Sequence, residues 1–117
     1  MSRNDKTKQS WENIQADISQ KFGGGETLDI DAIIYLIGIQ ELGKGFIRNS
    51  KDDKIDIMHI AICKLLEPFG YYAFDFFDDD GWPHYKIIDE LPNLKPGEQS
   101  VLMKEAIVMY FEKGNER

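Results

Sequence analysis

The longest apolar run of the chain, Ala32-Ile33-Ile34-Tyr35-Leu36-Ile37-Gly38-Ile39, constrains the fold more than any other stretch. It is far shorter than the ~18–20 residues that span a bilayer, so it must be buried in protein. A continuous apolar run has no diagnostic period and suits a buried strand or a buried helix. The flanks favour a helix: Asp29 or Asp31 can cap it, Gln40-Glu41-Leu42 continues it and Gly43 supplies the stop. Apolar around nearly its whole circumference, this helix is expected at the centre of the domain or at a subunit interface.

The elements around it follow from local signals. Residues 1–9 are polar and read as a flexible N-terminal tail, and residues 10–114 as a single globular α+β domain. Ser10 is the expected N-cap of a first helix with Trp11, Ile14, Ile18 and Phe22 on one face, stopped by Gly23-Gly24-Gly25. After the loop at residues 43–51, DDKIDIMHIAICKLL predicts a third helix. Its main stripe is Ile55, Met58, His59, Ile62, Leu65 and Leu66, widened by Ile57, Ile60 and Ala61, and Pro68 and Gly70 end it. Tyr71–Phe77 and His84–Ile88 read as strands, and Glu98–Lys113 as a last helix stopped by Gly114. The predicted order is helix, helix, helix, β-hairpin, helix, a mainly helical α+β fold.

FDFFDDDGWPHYKII, residues 74–88, concentrates the chemistry of the chain. Asp80-Gly81 predicts a tight two-residue turn. Closing there pairs Phe77 with His84, Phe76 with Tyr85, Asp75 with Lys86 and Phe74 with Ile87. Phe74, Phe76, Tyr85 and Ile87 then share the core face, and Asp75, Phe77, His84 and Lys86 the outer one. A three-residue loop closed by Asp78 and Trp82 would slip this register and bury His84 and Lys86 beside Phe74, so it is rejected.

The aspartates do not complete a calcium loop. With Gly81 as the turn glycine, Asp78 and Asp80 fall in register, but the first and twelfth positions are Phe76 and Ile87. His59 and Cys63, four apart on a helix, could form half of a metal site or a nucleophile pair. They lack a third partner and read as a hydrogen-bonded core histidine and an inert buried thiol. A lone cysteine excludes an intramolecular disulfide and a Cys-cluster zinc site, and fits a reducing cytoplasm. No phosphate-binding glycine loop, G-x-S-x-G or H-E-x-x-H motif is present, so no catalytic residue, metal or cofactor is assigned.

The net charge of −7 lies mostly after Leu66, where five Lys/Arg face eleven Asp/Glu, against nine and ten before it. Such a surface repels phosphate. Only Lys44, Arg48, Lys51 and Lys54 make a local basic cluster, diluted by Asp52 and Asp53, and it reads as a solvated loop. Three helices and a hairpin suggest a winged-helix-like nucleic-acid regulator by analogy, but the wing tip would be triply acidic. A small metal- or His-dependent enzyme, using His84 with Asp78–Asp80 or His59 with Cys63, is another alternative. The expected role is non-enzymatic: a cytoplasmic interaction or assembly domain that meets another protein, or a second copy of itself. Its expected contact residues are Phe77, Asp78, Asp79, Asp80, Trp82 and His84, with no membrane involvement.

Overall fold

The computed structural model describes residues 3–43 and 51–115. Four helices, α1 (Arg3–Phe22), α2 (Ile30–Leu42), α3 (Lys51–Leu66) and α4 (Pro96–Asn115), accompany one antiparallel hairpin, β1 (Tyr72–Phe77) and β2 (Pro83–Ile87). A 3₁₀ turn, Glu67–Phe69, joins α3 to β1. The order and the α+β class are those the sequence predicts. The basic residues Lys44 and Arg48 and most of the loop that carries them lie outside the described residues. Among the described residues no helix is long and apolar enough to cross a membrane.

The chain divides into two compact units: residues 1–30 with 93–117, and residues 31–92. In the first, α1 packs along α4. Trp11 and Ile18 of α1 and Ala106, Ile107 and Val108 of α4 are buried, and the Lys104 ammonium lies 5.6 Å from the centre of the Trp11 ring. The glycine turn folds back onto α1: Gln15 Nε2 donates to the Leu28 carbonyl (2.7 Å) and the Leu28 amide donates to Ser19 Oγ (2.8 Å).

Both helices of this unit outrun the sequence reading. No Gly or Pro interrupts Arg3–Phe22, so the helix continues through Ser10 for two further turns instead of starting there. Phe22, expected on the buried stripe, is exposed. Helix α4 starts at Pro96, which needs no amide partner in a first turn, and runs past Gly114. Glu98 accepts from the Lys95 amide (3.2 Å), closing the N-terminus as half of a capping box.

The second unit is built on the apolar helix. Gly43, with φ of 68°, ends α2 and returns its amide to the carbonyls of Ile39 and Gln40. Leu42, Ile57 and Ile60 form a buried cluster, with Tyr35, Ile39, Trp82 and Tyr85 packed against it. Ile57, Ile60 and Ala61 are buried on α3 together with Cys63 and the expected Leu65 and Leu66, whereas Ile55 and His59 of the expected stripe are exposed. Isoleucines recur on both sides of this helix, so its apolar period had no unique phase.

The hairpin differs from its predicted register. Phe77 pairs with Pro83, Phe76 with His84, Phe74 with Tyr85, Ala73 with Lys86 and Tyr72 with Ile87, with an irregularity between Phe74 and Phe76. The loop is Asp79-Asp80-Gly81, closed by the Asp78 amide on the Trp82 carbonyl (2.9 Å) and the Gly81 amide on the Asp78 carbonyl (2.9 Å). Gly81, at φ of 85°, takes the left-handed position that such three-residue loops require. A bulge at Asp75 absorbs the slip, so Phe74 meets Tyr85 and not Lys86. The expected Asp75–Lys86 pair does not form, and Phe74, Phe76 and Ile87, assigned to the core, are exposed.

Gly38 of α2 lies directly against Ile57 of α3. A Cβ there would fall 2.6 Å from Cγ2 of Ile57 and closer still to the Ile57 carbonyl oxygen, so backbone would have to move. We expect Gly38→Ala to destabilise the second unit by about 2 kcal/mol or more in denaturant unfolding, despite alanine's better helix propensity. Gly97→Ala, where an added Cβ meets nothing within 4 Å, is expected to be neutral or stabilising by up to about 1 kcal/mol.

Candidate functional site

Between α3 and the tip of the hairpin lies an open cleft of about 410 Å³. Helix α3 contributes Asp56, His59 and Ile60, at spacings that keep them on one side of the helix. The hairpin contributes Asp78, Asp80, Trp82, Pro83, His84 and Tyr85. The chain's two histidines, 25 residues apart in sequence, therefore share one cavity.

Asp78 organises the hairpin side. Its Oδ1 accepts from the amides of Asp80 and Trp82, both at 3.0 Å, and its Oδ2 accepts from His84 Nε2 at 2.8 Å. Since an ionised carboxylate can only accept, Nε2 of His84 carries the proton of this bond. These bonds, the one from His84 foremost and the Trp82 amide next, hold the Asp78 carboxyl below its usual range. Phe76 stacks on the other side of the pairing, its ring 4.7 Å from that of His84 and within 2° of parallel.

Around the cleft the other reactive groups are quiet. His59 Nε2 lies 3.5 Å from the Cys63 sulfur and meets the edge of Tyr72 at 6.3 Å. His59 itself is exposed, not the core histidine the sequence suggested, while Cys63 is buried. Burial pushes the Cys63 thiol up to about 11, so it is no nucleophile at neutral pH. Burial, then the charges of Glu67 and Glu41, raise the Tyr85 phenol to about 12, keeping it a neutral hydrogen-bonding group. Among the described residues no three His, Cys, Asp or Glu side chains are grouped so as to hold a metal ion.

Of the six expected contact residues, Asp78, Asp80, Trp82 and His84 come together in this cleft. Trp82 does not stand outward at the tip; it is half-buried on the Leu42–Ile57–Ile60 cluster. Phe77 and Asp79 are exposed outside the cleft. Phe77 lies 4.9 Å from Phe74, and these two rings, Phe76, Ile87 and Ile88 are each exposed, between 41% and 70% accessible. Asp56, His59 and Tyr85 were missed as site residues. The signal in the sequence was Asp56-x-x-His59, an i, i+3 pair of polar groups on one helix side, hidden by assigning His59 to the apolar stripe.

No family model matches the chain, and no curated protein or solved structure does.

Two outcomes follow from these proton affinities. Because folding depresses the Asp78 pKa, its stabilising bonds are complete above the ordinary carboxyl value of 3.8 and are lost as pH falls through the depressed one. Carboxyl-carbon NMR should find the Asp78 midpoint below 3.8, moving back toward it in His84→Ala. For Cys63, the rise from 9.0 to about 11 implies roughly 100-fold less thiolate at a given pH. Alkylation by iodoacetamide at pH 8 should therefore be at least about 100-fold slower in the folded chain than after unfolding in guanidinium.

Proposed function

We propose that the protein is a cytoplasmic, non-enzymatic interaction module whose hairpin docks a positively charged segment of another protein. One observation carries this reading: five large apolar side chains, Phe74, Phe76, Phe77, Ile87 and Ile88, are exposed on one short hairpin that also bears Asp75, Asp78, Asp79 and Asp80. Exposed apolar groups beside polar ones are the anatomy of a contact surface, with the rings as anchors and the charges as rim. A second copy is the less suitable occupant. A two-fold interface through this hairpin would set its four aspartates against an identical acidic patch, on chains that each carry −7. A segment with Lys or Arg among apolar residues matches both features, and its association should weaken with salt. Nucleic acid shares the rings' liking for flat partners but not the sign of charge.

The test uses fluorescent peptides that mix Lys/Arg with Leu and Phe, beside versions carrying Glu at every basic position. The basic peptides should bind the full chain in the micromolar range, losing affinity with added salt and by at least about tenfold in Phe76→Ser/Phe77→Ser, whose exposed positions spare the core. Equal binding of both peptide sets, or no binding of either, overturns the proposal. So does a dimer in sedimentation that Phe77→Ser dissociates, which would make the hairpin a self-association surface.

A further inference from the structure

We propose that the cleft between α3 and the hairpin tip receives an arginine side chain of that basic partner segment. This inference rests on the interaction reading above and assigns the pocket that the apolar surface does not explain. A volume of about 410 Å³ lies toward the low end for ligand sites and is ample for one long side chain and its flanking backbone. Its apolar lining, Ile60 and Pro83 with the rings of Trp82 and Tyr85, suits an aliphatic stem and a flat delocalised cation.

The charged lining is divided between two elements. Asp78 is already committed, its oxygens taken by two amides and His84. Asp56 on α3 and Asp80 on the turn line the same cleft, and no described residue forms an ion pair with either carboxylate. Two separate carboxylates facing one cavity call for a donor that can reach both. Guanidinium offers five N–H groups in a planar fork, stacks on aromatic faces and sheds water more readily than ammonium, so arginine fits better than lysine. An anion would meet three aspartates, and a metal ion would lack a grouped ligand set among the described residues.

The experiment titrates the full ¹⁵N-labelled chain with acetyl-Gly-Arg-Gly-amide. The neutral citrulline analogue and the lysine analogue serve as comparisons. Saturable shifts are expected at the Trp82 indole and in residues 56–60 and 78–85, with Kd of about 1 mM or below, the weak range of a single side chain. Citrulline should bind at least tenfold more weakly, and Asp56→Asn and Asp80→Asn should each weaken arginine at least fivefold. Asp56 is exposed, so its variant should keep the parent spectrum away from the cleft, which confirms the fold. Citrulline binding as well as arginine, or arginine unaffected by Asp56→Asn, overturns the pocket. Lysine binding as well as arginine overturns the choice of guanidinium. If longer basic peptides still need Phe76 and Phe77 while the cleft stays silent, the pocket falls and the interaction reading stands. If no basic peptide binds anywhere, both fall.

Discussion

Three donors converge on the carboxylate of Asp78: the amides of Asp80 and Trp82 and the imidazole of His84. The two amide bonds close a three-residue loop and so decide the hairpin's length. Loop length then sets the register near the tip, which places Phe76 opposite His84. Carried on unchanged, that register would put Lys86 against Phe74, and the bulge at Asp75 prevents it. The cleft lies beside this loop, where Trp82 and His84 line it together with Asp56, His59 and Ile60 of α3.

The opposite wall depends on a close approach of two helices. With no side chain at Gly38, the Ile57 backbone can lie against α2, and Ile57 then joins Leu42 and Ile60 in the buried cluster. Asp56 precedes Ile57 and His59 precedes Ile60, so fixing the buried pair turns the polar pair toward the hairpin. The core packing and the cleft chemistry are thus two sides of one helix rotation. Tyr85 links them: it packs on the apolar cluster and lines the cleft, and its burial raises the phenol further above its ordinary value.

Local punctuation made the element order legible in the sequence. Gly43, Pro68 and Gly70 stop helices for steric reasons that hold in any surroundings, and they resolve the ambiguous apolar run as helix. The hairpin's existence was equally plain from Asp80-Gly81. Its register was not, because the same dipeptide serves a two-residue turn and the end of a three-residue loop, and the bulge that rescues the longer loop has no residue signature at Asp75. On α3 the trouble was redundancy: Ile55, Ile57, Ile60 and Ile62 offer apolar groups on more than one side, and only tertiary packing against α2 and the hairpin chooses among them. Four of the six expected contact residues share the cleft, since they are near neighbours in the chain. Asp56 and His59 come from a different element, and their approach to the tip is tertiary.

The Asp75 bulge also divides the hairpin into two halves with different tolerance to changes in chain length. Between Phe76 and Pro83 the loop hydrogen bonds count residues, so a gain or loss there alters the tip alone. Removing a single residue at the bulge would join the halves in one continuous frame. Every pairing from Phe74 back to Tyr72 would be kept, because Asp75 is the one residue of β1 here without a partner on β2. The bulge is thus the one place within β1 where the chain can lose a residue and keep its cross-strand neighbours.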